Sequence, residues 1–345
     1  MPIQFHCEKL TARFLAPDGS QPMERTVEVR YDPLLGTTAR IAEGVKLQTA
    51  DAAALVRFQS PDASCPFCPP RISQVTPWID PKVSGEPRIQ AGETVLFPNL
   101  VPYSQYAAVA VFTPRHWLGV SEFSPRLIAD NLAASIRYIR AVYASDPRAR
   151  YCAWNVNYLY PSGGSLPHPH AQVFLDPFPT TMLRFQLEAG EKYWRDTRAN
   201  FWEDLVTAEK QRNERFVCEI GATSWFTPYA PIGFNEVRAV VRGRETLLQL
   251  NDDDVASLAA GMSRVLRWYA ALSYNSFNAS LFSGPLEGAA HFRVSLVMIS
   301  RTAMLPYYRT DSMYLERLHW EAAVDRTPER NAAELRTAAL EKPAG

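Results

Sequence analysis

The chain is predicted to be an α+β protein of mostly antiparallel sheets flanked by helices. Three observations carry this reading. Short β-rich runs and amphipathic helical stretches follow one another without strict βαβ alternation. The order of motifs in the first half recurs weakly in the second, as in a duplicated unit. The 345 residues, 47% of them hydrophobic, can build a sizeable core as two ordinary domains or one large one.

Strand-like runs are read at residues 26–30, 55–59, 94–97, 106–112 and 151–155, then 173–175, 235–241 and 292–299. Helices lie between them. Ser124 caps a helix with Pro125 at its first position, and Leu127, Ile128, Leu132, Ile136, Ile139 and Val142 form its apolar stripe. Asp252 can cap a second, with Val255, Leu258, Met262, Val265, Leu266 and Tyr269 on one face. Residues 182–216 carry charged helical stretches, and 328–340 a polar helix rich in alanine and arginine. The repeat aligns Pro102-Tyr103, a strand, basic residues and the Ser124 helix with Pro228-Tyr229, a strand, Arg242, Arg244 and the Asp252 helix. The strand that follows carries His168 and His170 in the first half, and His291 and Arg293 in the second.

Bulk chemistry excludes several classes. Lys plus Arg and Asp plus Glu balance at 36 each, so no field of one sign favours nucleic acid or an anionic membrane. The five cysteines form no disulfide framework and suit a reducing compartment. The N-terminus lacks a signal-peptide pattern, and no apolar run approaches the ~20 residues that span a bilayer. A soluble, cytoplasmic protein is expected.

The most informative segment is Leu166-Pro167-His168-Pro169-His170-Ala171-Gln172, which holds two of only six histidines. Each proline disfavours helix for the residue before it, which biases the segment to be extended. His168, His170 and Gln172 then share a face, about 7 Å between neighbours at ~3.3 Å per residue. An imidazole beside a phosphate can act as base or nucleophile. Gln172 cannot titrate near neutral pH, and its amide can hold a phosphoryl oxygen. Gly163-Gly164-Ser165 comes just before; alone it reads as a turn, but next to the imidazoles it suits a phosphate cradle. No Gly-x-Ser-x-Gly elbow supports a serine hydrolase.

Cys65-Pro66-Phe67-Cys68 has the spacing of a zinc clamp. Two further ligands are needed, with His116 and His168 as candidates. A closed Cys₂His₂ set would be structural. The pair could instead be a redox dithiol, which Pro69-Pro70 disfavours by spoiling a following helix, or two buried thiols.

Gly-Gly-Ser-Leu-Pro-His-Pro-His-Ala-Gln resembles the active-site signature of galactose-1-phosphate uridylyltransferases, a branch of the histidine-triad superfamily. Cys65-x-x-Cys68, Phe97-Pro98-Asn99, Pro114-Arg115-His116 and Asn157 are similar in order and spacing, and the second half more loosely, to Trp320-Glu321. The resemblance implies tandem histidine-triad-like units: a catalytic unit over residues 1–180 and a degenerate unit over 181–345 that adds substrate contacts. It implies that His170 attacks the α-phosphorus of a nucleotide sugar. Gln172 would hold phosphoryl oxygens in place of a third histidine, and Ser165, Gly163 and Gly164 would bind phosphate. Phe97, Asn99 and Asn157 would surround the nucleoside, and Glu321 would contact sugar hydroxyls. Cys65, Cys68, His116 and His168 would bind structural Zn²⁺. A homodimer and a ping-pong exchange between sugar 1-phosphates are implied with these.

The sequence departs from the family in two places. The second-half His-x-His of many members is replaced by His291-Phe292-Arg293, so a second metal is not expected. Leu100 follows Asn99 where an acidic residue often meets the ribose. The rival readings are a nucleotide-sugar or dinucleoside-polyphosphate phosphorylase on the same histidine, a hydrolase, and a non-catalytic nucleotide-binding scaffold.

Overall fold

A ten-stranded antiparallel sheet crosses the whole molecule in the order β4-β5-β6-β8-β7-β12-β13-β11-β10-β9. The computed structural model describes residues 3–42, 55, 59–60, 64–302 and 314–338. The strands of the first half are β4 (Ile89–Ala91), β5 (Thr94–Pro98), β6 (Tyr106–Val111), β7 (Tyr151–Tyr158) and β8 (His170–Asp176). Those of the second are β9 (Phe216–Ile220), β10 (Thr223–Phe226), β11 (Val237–Val241), β12 (Ser276–Phe282) and β13 (Ser295–Arg301). The expected run at 55–59 falls mostly outside the described residues.

The strand order is a palindrome. Each half is a three-stranded meander, a long helix and a hairpin whose second strand returns beside the meander. The halves meet where β7 pairs with β12, with Asn155 opposite Ser280. A smaller sheet, β1 (Cys7–Leu15), β2 (Pro22–Tyr31), β3 (Thr38–Ile41) and β14 (Ala322–Val324), joins the two ends of the described chain through the parallel pair β3·β14.

Among the helices, α1 (Arg71–Val75) is short. The two long ones, α2 (Pro125–Ser145) and α5 (Asp252–Ala271), pack together on one face of the large sheet. Ser124 Oγ accepts from the Leu127 N–H at 3.3 Å, with Pro125 at the first helical position, as expected. The cap of α5 is Asn251, one residue before the expected Asp252. Asn251 Oδ1 accepts from the Asp254 N–H at 2.8 Å and Asp254 Oδ2 accepts from the Asn251 N–H at 3.1 Å. This reciprocal box leaves Asp252 and Asp253 in the first turn, favoured by the helix dipole. The predicted stripes are buried on both helices, Leu127 alone only partly.

Gly261, in the middle of α5, lies against Trp225 of β10; a Cβ there would sit 2.0 Å from the indole. Trp225 is 2% exposed and has nowhere to move. Gly261→Ala should therefore destabilise by about 1–3 kcal/mol despite its better helix propensity, measured by denaturant unfolding.

The opposite face of the sheet is treated differently in the two halves. Over the second half lie α3 (Thr181–Thr197) and α4 (Phe201–Arg212). Their Leu183, Phe201, Trp202 and Leu205 pack on Phe226, Val240 and Phe292. The expected helical region 182–216 thus divides at Arg198, in the left-handed conformation, and at Asn200, which caps α4. Over the first half, a cleft remains. The last helix, α6 (Pro328–Ala338), packs against β9.

Candidate active site

The cleft on the first half is lined by Asn99, Tyr103, Asn155, Asn157, Gln172 and Asp176, among others. Alternation along the strands places them. On β7, Cys152, Trp154 and Val156 point into the helix-covered core, and Asn155 and Asn157 point to the open face. On β8, Ala171, Val173 and Leu175 are buried, while His170 and Gln172 share the other side. The same-face placement of His170 and Gln172 is the one their spacing predicts.

His170 is 5% exposed. Its Nδ1 donates to the His168 carbonyl at 2.8 Å, because a carbonyl can only accept. The lone pair is then on Nε2, which has no partner among the described residues and is not sealed from solvent. The Phe67 ring makes an edge-type contact with the imidazole, 5.3 Å between ring centroids. Burial lowers the pKa of His170, against the pull of the His168 carbonyl, which favours neutral imidazole. The Gln172 side chain makes no hydrogen bond within the described residues and faces the cleft.

Before β8 the chain makes a tight loop. Leu159 has φ 66°, rare for a non-glycine residue, and its carbonyl accepts from the N–H groups of Ser162 and Gly164 at 3.2 and 3.1 Å. Gly163 has φ 86°. Gly164 fits only without a side chain, since a Cβ would meet the Asn157 and Leu159 carbonyl oxygens at 2.8 and 2.9 Å. Ser165 is exposed at the end of the loop. Gly164→Ala should lower turnover more than it lowers the melting temperature, because the clash displaces the loop and Asn157 rather than the core. Parallel kinetics and thermal melts check this.

Beside the site, Cys65, Cys68, His116 and His168 present ligand atoms all within 4.8 Å of one another. Cys65 Sγ is 3.6 Å from His168 Nδ1, and Cys68 Sγ is 3.2 Å from His116 Nδ1 and 3.5 Å from His168 Nδ1. A tetrahedron with Zn–S and Zn–N bonds of about 2.3 and 2.1 Å has S···N edges of about 3.5 Å, so the donors fit such an ion. His168 Nε2 donates to the Thr113 carbonyl at 2.8 Å, which leaves Nδ1 as the lone pair facing the thiols. Burial lowers the pKa of His168 to about 4, partly opposed by that carbonyl. The set is buried or half-buried; contrary to the sequence expectation, Pro69-Pro70 does not prevent a following helix, since α1 starts at Arg71.

Other expected site residues lie elsewhere. Phe97 is 2% exposed, packed on Phe67, Val109 and Val111 rather than lining the cleft. Glu321 accepts from Thr38 Oγ1 at 2.9 Å and pairs with Arg40 at 3.1 Å in the smaller sheet. The second-half counterpart of the histidine strand is not where the repeat put it. Val111 opposes His170 on β6·β8 as Val240 opposes Ser295 on β11·β13. Arg293, Ser295 and Val297 therefore stand at the places of His168, His170 and Gln172, and His291 precedes them in a turn. Arg293 Nε bonds Glu203 of α4 at 2.7 Å. Among the described residues no second group of metal donors gathers. Asn155, Asn278 and Arg301 join the polar face without having been singled out; the alternation of Asn155 and Asn157 around Val156 was the available signal.

No family model matches the chain. An uncharacterised protein of Archaeoglobus fulgidus is 32% identical over 336 residues, 97% of this chain and 98% of that one. A galactose-1-phosphate uridylyltransferase of Streptomyces lividans is 29% identical over 209 residues, 58% of this chain and 52% of that enzyme, so the match spans about half its length. Among solved structures, an ADP-glucose phosphorylase of Arabidopsis thaliana with bound ADP-glucose superposes with a TM-score of 0.71 at 17% identity, covering 91% of this chain and 99% of that one. A uridylyltransferase superposes at 0.66 and 20% identity, with coverage of 91% and 99%. Signature and sequence are thus similar to those of a galactose-1-phosphate uridylyltransferase, and the fold is the one seen in the solved uridylyltransferase and ADP-glucose phosphorylase.

Proposed function

We propose that the protein is a nucleotidyltransferase that moves a nucleoside monophosphate from a nucleotide sugar to a second phosphorylated acceptor through His170. Nε2 of His170 attacks the α-phosphorus. The N–P bond forms, the bond from phosphorus to the bridging oxygen breaks, and sugar 1-phosphate leaves with that oxygen. The acceptor's phosphate oxygen then displaces the imidazole, which returns neutral. Two easier displacements replace one hard one. The observation that carries this reading is the Nδ1–H bond to the His168 carbonyl, which presents the free lone pair on Nε2.

The other residues take supporting roles. Gln172 donates its amide to the phosphoryl oxygens. Ser165 and the backbone of Gly163 and Gly164 hold phosphate. Asn99 and Asn157 meet the nucleoside, with Phe97 as packing support, and Glu321 serves the sugar once a partner subunit completes the site of a homodimer. Cys65, Cys68, His116 and His168 hold Zn²⁺, which supplies rigidity rather than chemistry: with His168 fixed, His170 is aimed without searching. The catalytic unit spans 1–180 and the degenerate one 181–345, in a cytoplasmic protein. No helix among the described residues is long and apolar enough to cross a membrane.

Intact-mass spectrometry after mixing with UDP-glucose or ADP-glucose tests this. A gain equal to the nucleoside monophosphate is expected, removed by adding sugar 1-phosphate. No gain with either, nor with other nucleotide sugars, overturns the proposal. Discharge by inorganic phosphate alone, releasing nucleoside diphosphate, would make the enzyme a phosphorylase on the same histidine.

A further inference from the structure

The degenerate half meets the open face of the catalytic half along the β7·β12 seam. Asn278 on β12 donates through Nδ2 to Asn157 Oδ1 at 2.7 Å and to the Ser162 carbonyl at 3.0 Å, while its own Oδ1 accepts from Arg301 Nη1 at 2.8 Å. The sense of this amide is not a free choice. Arg301 can only donate and the Ser162 carbonyl can only accept, so Oδ1 of Asn278 must face the arginine and Nδ2 must face the loop. Asn157 is then bound to use its Oδ1 as acceptor. Its NH₂ is left on the cleft side with no protein acceptor among the described residues. Next along the strand, Asn155 follows the same rule. Its Nδ2 faces the Gln172 carbonyl at 3.5 Å and its Oδ1 accepts from Ser280 at 2.7 Å.

We infer that Asn278 is a positioning residue: held by Arg301, it turns the Asn157 amide so that the cleft offers a donor to an acceptor oxygen of the bound nucleotide. This rests on the nucleotidyltransferase reading. It also gives the second half a role in the reaction without any catalytic group of its own. Asn278 does not line the cleft, and its effect passes entirely through Asn157. Reversal of that one amide would put a carbonyl oxygen toward an acceptor-only oxygen such as a phosphate's, replacing attraction with repulsion at a single atom.

Asn278→Asp is the sharpest test because it keeps the shape and the Arg301 contact. Its carboxylate cannot donate, so Asn157 turns its NH₂ away from the cleft to meet it. The readout is the rate of His170 labelling by the nucleotide sugar, UDP-glucose or ADP-glucose, that labels the unmodified protein. The half-saturating concentration should rise by about tenfold or more, with a smaller change in the maximal labelling rate and in the melting temperature. Asn157→Ala should show a similar rise, and the double variant should be no worse than either single one. Asn278→Ala, which frees Asn157 to take both orientations, should fall between and serves if the aspartate variant does not fold. A wild-type half-saturating concentration in Asn278→Asp overturns the inference. So does a double variant whose loss is the product of the two single losses, since Asn278 would then act through the loop or the fold. Absence of labelling in the unmodified protein is a different result: it removes the nucleotidyltransferase reading and this role together.

Discussion

Replacing His170 with alanine should leave a folded, metal-binding protein that forms no nucleotidyl adduct. Turnover should drop by at least about four orders of magnitude, the scale seen when a nucleophile is deleted from an otherwise intact site. The expectation rests on the lone pair at Nε2 having no substitute. His168, the nearest imidazole, directs Nδ1 at the thiols and Nε2 at the Thr113 carbonyl, so neither nitrogen is free. Ser295, the counterpart in the second half, lies under the cover of α3 and α4, not in the cleft. The fold should persist, since His170 contributes one hydrogen bond to a backbone carbonyl and an edge contact with Phe67. Adduct formation by mass spectrometry and metal content by emission spectroscopy give both halves of the answer. Full turnover by His170→Ala would show that another group attacks.

Cys65→Ser should do the reverse. Loss of one thiolate removes a ligand that no nearby group replaces, so bound zinc should fall from about one ion per chain to a small fraction. Stability should drop by roughly 3–5 kcal/mol, the range in which loss of a structural metal belongs. Without an ion, the buried donors gather around nothing that compensates for their desolvation. Labelling of His170 should survive at low temperature and fail early on warming. Acid should mimic the substitution in the unmodified protein, since protons compete with the metal for the two imidazoles and two thiolates. Unchanged metal content in Cys65→Ser would remove the zinc assignment.

The geometry of the candidate site is legible in the sequence where it sits in short local patterns. Prolines on both sides of His168 dictate an extended segment, and period-two alternation then assigns His170 and Gln172 to one side. The Cys65-x-x-Cys68 spacing marks a clamp before any partner is known. Helix caps were nearly as readable: Ser124 was placed correctly, and Asn251 was missed by one residue because three acidic residues after it all suit a helix start. Long-range facts were not readable. The sequence pattern sets His291 and Arg293 against His168 and His170, whereas the register of β11·β13 makes Ser295 the counterpart of His170. Phe97 shares the sheet face of Val109 and Gln172, yet Phe67, distant in sequence, packs over it and closes it off from the cleft.

From the order of its amino acids alone, the chain determines which atoms can do chemistry: one imidazole, one carboxamide, a glycine loop and four soft donors, each defined within a few residues. Only the tertiary structure decides where that chemistry is exposed. Two halves of the same topology lie in one sheet, and α3 and α4 cover the sheet face of the second while that of the first stays open. The physical reason is that burial depends on which apolar faces meet across long separations, and the seam between β7 and β12 brings Asn278 to Asn157 from 121 residues away.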